Sequence, residues 1–181
     1  MALEGLDTTS LQADLTMMDI LMEAGASLSQ MDEPKGVITV KKAPLRGFRA
    51  DLSNSPDLFP VTAVLCAFCQ GRSILRGVRR LVHKESDRSE GIVRMLSRMG
   101  VAVQVKGDEM TIDGESLASR LMNGRLLKGG EYTADHDHRM VMALRLAELG
   151  APEPVIIDDT DCVAKSFPRF NEIWNEMIKN L

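Results

Sequence analysis

The sequence predicts an α/β (α+β) fold assembled from about two copies of a β-α-β-α-β-β unit. Three observations carry this. Apolar residues recur at helical spacing in several segments, each stopped by a glycine. Between them lie short alternating runs of strand length. The chain also repeats itself weakly: Leu21-Met22-Glu23-Ala24-Gly25-Ala26 resembles Leu96-Ser97-Arg98-Met99-Gly100-Val101, and Asp57 with its apolar helix ending near Gly71 resembles Asp137 with one ending at Gly150. Both offsets are about 75–80 residues. A third copy would complete a symmetric arrangement, and the chain is too short to hold it.

The elements are read in order. Met1–Thr9 has no clear periodicity. A helix runs from about Asp14, its N-cap, to Ala24, with Met17, Met18, Leu21 and Met22 as its apolar face and Gly25 as its stop. Ala26–Leu28, Val37–Val40 and Phe48–Leu52 are strand candidates, the first two separated by the turn signal Asp32-Glu33-Pro34. Ser53–Pro56 breaks the pattern. A helix follows from about Leu58 to Cys69. Pro60 fits only its first turn, which places Asp57 at or near the N-cap, and Gly71 ends it.

Ser73–Val78 is a strand that delivers the chain to Lys84. Asp87-x-x-Glu90 opens a helix with Ile92, Val93, Leu96 and Met99 on one face and Gly100 at its end. Val101–Val105 and Met110–Ile112 form a hairpin through Lys106-Gly107-Asp108-Glu109. Gly114–Gly130 is loop-like with a short helical piece. Asp135-His136-Asp137-His138-Arg139 opens a helix from Met140 to about Leu149. Val155–Ile157 is a strand. Lys165-Ser166-Phe167-Pro168 starts the last helix, with Ser166 as cap and Phe167, Phe170, Ile173, Trp174 and Met177 facing inward.

At 181 residues and 44% hydrophobic, the chain holds one real core and is not disordered; a single domain over 1–181 is expected. A net charge of −4 and 4% aromatics argue against a nucleic-acid partner, electrostatic or stacking. No apolar run approaches the roughly 18 residues of a membrane span and no signal segment opens the chain, so no membrane partner is expected. Cys66, Cys69 and Cys162 make an odd count without framework spacing, which suits a reducing cytoplasm. Cys66 and Cys69 lie in or beside the apolar run Val61–Phe68 and read as buried structural thiols.

Charge gathers at four helix starts. The densest is His83-Lys84-Glu85-Ser86-Asp87-Arg88; the others are Asp57, the pair Asp137 and Arg139, and Lys165. A helix N-terminus carries unpaired N–H groups and about half a positive charge. Carboxylates are favoured there, and Asp57, Asp87 and Asp137 could simply be caps, as Lys84-Glu85 could be a solvated pair. Arg88, Arg139 and Lys165 are different, because the dipole opposes them. A bound anion would offset that cost. Asp135-His136-Asp137-His138 mimics a metal cluster, but residues two apart share no helical face and no third ligand group follows. No metal is expected, and His136 and His138 read as positioning or ordinary polar residues.

Four motifs in order, Ser55-Pro56-Asp57, Lys84-Glu85-Ser86-Asp87-Arg88, Asp137-His138-Arg139-Met140 and Ala164-Lys165-Ser166-Phe167-Pro168, resemble the C-terminal half of the 5-enolpyruvylshikimate-3-phosphate synthases, also called 3-phosphoshikimate 1-carboxyvinyltransferases. The likeness covers the chain from about Leu11 onward. It implies an inside-out barrel of the enolpyruvyl transferase type, helices inside and strands outside, with helix N-termini facing a cleft between two similar domains. It also implies that this chain is a partial domain, part of one of the two, lacking the N-terminal domain, the glycine-rich Asn-Ala-Gly-Thr segment and the Lys-Ser substrate loop.

The implied reaction moves the enolpyruvyl group of phosphoenolpyruvate to the 5-hydroxyl of shikimate 3-phosphate, releasing phosphate, in chorismate and aromatic amino acid biosynthesis. No metal or organic cofactor is implied. By resemblance, Asp57 accepts the hydroxyl proton and Glu85 donates one. Lys84 holds shikimate 3-phosphate, and Arg88, Arg139 and Lys165 hold phosphoenolpyruvate. Both substrates are multiply anionic, so a cationic clamp fits, and planar Arg forks suit a carboxylate. Glu85 lies between two cations, which leaves Lys84 and Lys165 as rival proton donors. Gln12 is a further cleft candidate. Arg80 stands where family members often have Asn, so this substrate contact departs from the pattern. Alternatives are UDP-N-acetylglucosamine enolpyruvyl transferase and a non-catalytic anion-binding module of the same fold. The chain alone is expected to be inactive, with self-association through the face a third unit would cover.

Overall fold

The computed structural model describes residues 2–5, 12–31, 36–82 and 84–179. His83, Leu11, the Asp32-Glu33-Pro34 turn and most of Met1–Thr9 lie outside the described residues. Strand β1 (Ala2–Leu3) is followed by a 3₁₀ turn (Ala13–Leu15) that runs directly into α1 (Thr16–Glu23). Strands β2 (Ser27–Met31) and β3 (Val37–Lys41) pair antiparallel with Leu28 opposite Val40, and β1 adds to the free side of β3.

The middle of the chain is one uninterrupted β-α-β-α-β-β unit. Strand β4 (Arg49–Asp51) leads through a 3₁₀ turn (Pro56–Leu58) into α2 (Phe59–Phe68) and then β5 (Gly71–Arg76), which pairs parallel to β4. Helix α3 (Arg88–Arg98) and the hairpin of β6 (Ala102–Lys106) and β7 (Glu109–Gly114) complete it. The sheet order is β4-β5-β7-β6, mixed parallel and antiparallel. The short helix α4 (Leu117–Met122) is capped by Ser116. Strand β8 (Gly130–Tyr132), α5 (His138–Glu148) and β9 (Val155–Ile157) form a second parallel β-α-β, followed by a 3₁₀ turn (Asp161–Lys165) and α6 (Phe170–Ile178).

The repeat shows the correspondences its sequence offsets suggest, with the boundary of the whole unit falling before β4. The α1-β2-β3 segment corresponds to α3-β6-β7, and β4-α2-β5 corresponds to β8-α5-β9. One whole unit is flanked by two half-units, which still sum to about two.

Helix α2 explains why helices lie inside. Phe59, Pro60, Thr62, Ala63, Val64, Cys66 and Ala67 are all buried, so apolar residues line it on every side, as in a helix enclosed by protein. Met140, Val141, Leu144 and Ala147 of α5 and Ile92, Met95 and Leu96 of α3 join the same core. On β5, Ser73 and Leu75 turn inward, while Arg72 and Arg76 face solvent and Arg72 pairs with Asp113 on the neighbouring strand. Gly114 ends β7 hard against α2: a Cβ there would lie 1.9 Å from the Cys66 carbonyl oxygen. Cys66, Cys69 and Cys162 are buried free thiols, and burial pushes Cys66 up to about 12.

Several local expectations are corrected. Asp14 does not cap α1. The 3₁₀ turn continues straight into the helix, Leu15 holds the cap position in helical backbone, and Asp14 points at Arg139 instead. The buried face of α1 is Ile20 followed by Ala24, and Met22 is exposed. Asp57 does not cap α2 either: it is the second residue of the preceding 3₁₀ turn, its carboxylate drawn away by cations. Cys69, in extended backbone, ends α2, and Gly71 opens β5.

Ser166 does not start the last helix. It closes the 3₁₀ turn that contains Lys165, and α6 begins only at Phe170. Pro168 disfavours helical backbone at Phe167, which delays the start. Phe167 and Ile173 are 41% and 39% exposed, and Trp174 is the buried anchor. Strand β8 was not anticipated; three residues within a glycine-rich stretch give no alternation to read.

Candidate active site

Three of the four charged segments meet in one cluster. Asp57 comes from the turn before α2, Lys84 and Glu85 from the loop before α3, Arg88 from the first residue of α3, and Arg139 from the start of α5. Arg88 is the hub. Its side chain is 1% exposed, and its guanidinium reaches three carboxylates: Nε donates to Asp137 Oδ2 at 2.7 Å, Nη1 to Asp57 Oδ1 at 2.7 Å, and Nη2 to Glu85 Oε2 at 2.7 Å. Nη2 also donates to Asp137 Oδ1 at 3.2 Å. Lys84 Nζ lies 3.0 Å from Asp57 Oδ1. Arg139 Nη2 lies 3.9 Å from Asp57 Oδ2 and 3.8 Å from Asp14 Oδ2. Its Nε is buried without a hydrogen-bond partner among the described residues.

Asp137 was read as a helix cap, and it is one: Oδ1 accepts the Arg139 N–H at 2.9 Å. It is also fully buried and takes Ser86 Oγ at 3.0 Å besides Arg88. One carboxylate thus holds the start of α5, the start of α3 and the loop between Lys84 and Arg88. Burial alone would push its carboxyl up; Arg88 outweighs that and holds it below the usual carboxylate range. Asp57 behaves the same way, with partial burial opposed by Arg88 and Lys84. Arg88 is pushed down by burial and up, on balance, by Asp137 and Asp57.

The segment leading to Asp137 is held in unusual backbone. Asp135 and His136 have φ values of 53° and 55°, a left-handed pair without glycine. Such backbone persists when its surroundings over-determine it. Thr133 and Asp135 exchange hydrogen bonds, Asp135 pairs with Arg94, His136 Nδ1 meets Asp159 Oδ2 at 2.7 Å, and Asp158 accepts the Ala134 N–H. His136, expected as a positioning or an ordinary polar residue, makes the Asp159 contact with its side chain largely exposed.

Two site candidates are not drawn into the cluster. Lys165 is exposed at the last residue of its 3₁₀ turn, where a cation is favoured rather than opposed. It forms no hydrogen bond or ion pair with any described residue. Arg80 is exposed at the end of the turn Val78–Arg80, and its side chain likewise has no such partner among the described residues. Gln12 is exposed just before the turn that carries Asp14. For Arg88 the cost of a cation at a helix start is met inside the protein, by three carboxylates. Asp14 and Ser86 were not anticipated as site residues. Ser86 was legible from its place inside the charged run, whereas Asp14 is far from Arg139 in sequence and carried no signal.

Comparison with known proteins bears on the family and the fold. Residues 1–174 match the sequence profile of the family described as EPSP synthase (3-phosphoshikimate 1-carboxyvinyltransferase). The 3-phosphoshikimate 1-carboxyvinyltransferase of Thermococcus kodakarensis is 39% identical over 159 residues, 88% of this chain and 36% of the relative. That of Pyrococcus furiosus is 39% identical over 168 residues, 93% of this chain and 38% of the relative. A 2.37 Å structure of EPSP synthase from Acinetobacter baumannii superposes with a TM-score of 0.79 at 28% identity, covering 97% of this chain and 41% of that one. The enolpyruvyl transferase NikO from Streptomyces tendae shares the fold, with a TM-score of 0.65 at 18% identity over 88% of this chain and 34% of its own. The chain thus spans well under half the length of the relatives it matches. With matching motifs, fold and sequence, it belongs to the EPSP synthase (3-phosphoshikimate 1-carboxyvinyltransferase) family.

Proposed function

We propose that this chain forms one wall of the active site of a cytoplasmic transferase that moves the enolpyruvyl group of phosphoenolpyruvate to the 5-hydroxyl of shikimate 3-phosphate. The other wall belongs to an N-terminal domain, and residues 1–181 are part of the C-terminal one. The supporting observation is the convergence of Asp57, Lys84, Arg88 and Arg139 from three separate elements, with Arg88 buried beneath the other three, which are partly exposed.

The proposed chemistry follows the charges. Arg139, with an unsatisfied Nε, and Arg88 face the carboxylate and phosphate of phosphoenolpyruvate, Lys165 closes on the same anion, and Lys84 meets shikimate 3-phosphate. Glu85 supplies the proton to the vinyl carbon, and Asp57 takes the proton of the attacking hydroxyl. The tetrahedral intermediate then expels phosphate and loses a methyl proton, restoring the double bond. Arg80 extends the phosphate-binding surface. Arg88 is so fully engaged by carboxylates that it positions Glu85 and Asp57 as well as attracting the substrate.

The test is kinetic, in the two-domain protein. Arg139→Ala should raise the KM for phosphoenolpyruvate about tenfold or more, and an unchanged KM removes Arg139 from the clamp. Asp57→Ala should abolish turnover without weakening binding. This chain by itself should release no phosphate from the two substrates.

A further inference from the structure

We infer that Asp57 is a resident stand-in for the substrate anion: in the ligand-free protein it occupies the place on Lys84 and Arg88 that an incoming anion takes, so that binding proceeds by exchange. Only the identity of the anion rests on the function proposed above; the exchange rests on geometry. One carboxylate lies against three cations from the starts of two helices, with Oδ1 at 3.0 Å from Lys84 Nζ and 2.7 Å from Arg88 Nη1, and Oδ2 at 3.9 Å from Arg139 Nη2. That is how a small bound anion would be held.

The partners differ in what they lose when Asp57 leaves. Arg88 keeps Asp137 and Glu85, so its position survives. Lys84 has its only ion pair among the described residues with Asp57 and is free to follow the ligand. Arg139 has Asp14 on its other side and an unpaired buried Nε, so it gains an acceptor. The charged groups facing Asp57 are thus Lys84, Arg88 and Arg139, with Glu85, Asp137 and Asp14 sharing those cations.

The exchange couples binding to chemistry. A carboxylate held between two cations is a poor proton acceptor. Once a dianion draws Lys84 onto itself and takes the place of Asp57 on Arg88 Nη1, Asp57 faces the site without them and accepts a proton more readily. The base is therefore quiet until the substrate arrives.

Inorganic phosphate and phosphoenolpyruvate serve as probes on the 181-residue chain. Asp57→Asn is nearly isosteric and keeps an oxygen for Arg88, and it should bind phosphate about tenfold more tightly than the parent. In the parent, the Asp57 carboxyl carbon followed by NMR should titrate at higher pH when phosphate is saturating. Equal or weaker phosphate binding by Asp57→Asn overturns the exchange, as does an Asp57 titration that phosphate leaves in place. Phosphoenolpyruvate binding no tighter than phosphate in either protein would count against the transferase reading and leave the exchange standing.

Discussion

Arg88 and Asp137 form a buried bidentate pair, Nε to Oδ2 at 2.7 Å and Nη2 to Oδ1 at 3.2 Å, that ties the first residue of α3 to the cap of α5. Two helices that carry site cations are thereby set in one frame. Asp137 is the fully buried counter-ion of Arg88, whose other partners Asp57 and Glu85 are half exposed, and breaking a buried pair of this kind costs about 3–5 kcal/mol. Asp137→Ala should lower stability by that amount in urea unfolding. Adding Arg88→Met should recover part of the loss, because the stranded charge goes with it.

The same carboxylates set the response to acid. Asp137 and Asp57 are both held below the ordinary carboxylate value of 3.8, so the stability they contribute is present above that value. It is lost as pH falls through their lower folded values. Urea midpoints should be nearly flat from about pH 7 to 5 and fall steeply below about pH 4. Asp137→Asn should shallow that fall. Asp57→Asn should do so less, since Asp57 is 42% exposed and its pairs are screened by solvent.

Lys165 has no internal ion pair among the described residues, so its removal should cost almost no stability. In a full-length protein Lys165→Ala should leave the melting temperature within about 1 °C and raise the KM for phosphoenolpyruvate about tenfold. A large drop in melting temperature would mean that the residue is structural.

Gly114→Ala places a methyl group 1.9 Å from the Cys66 carbonyl oxygen, and backbone lies on both sides of the contact. Sheet and helix must separate to admit it. The loss should be about 3 kcal/mol or more, measured by thermal or urea unfolding, while Gly107→Ala, with open space around it, should cost far less.

An apolar groove runs past Pro44, Leu45, Phe68, Leu117, Leu121 and Leu149, with Leu121 62% exposed. Exposed apolar surface of this kind favours association. Sedimentation of the chain should show concentration-dependent self-association that Leu121→Asp reduces. A monomer at all concentrations would rule out the groove as a contact.

Much of the fold was readable because it rests on local patterns. Asp87 caps α3 and Asp137 caps α5 where the sequence put caps, and the β6–β7 hairpin turns at Gly107-Asp108. The errors fall where local rules compete. Asp14 and Asp57 are good capping residues by type, and both are claimed by distant cations instead. Ser166 is a good cap too, but Pro168 moves the helix start beyond it.

By itself the sequence determined the unit of the fold, the helices that carry cations at their starts, and the family, because periodicity, caps and short motifs are properties of neighbouring residues. Only the tertiary structure decided how those charges are balanced. Arg88 proved to be answered by Asp57, Glu85 and Asp137 and buried to 1% exposure, while Lys165 has no ion pair among the described residues. Charge compensation depends on distances between segments about 30 to 50 residues apart in the chain, and no local pattern records them.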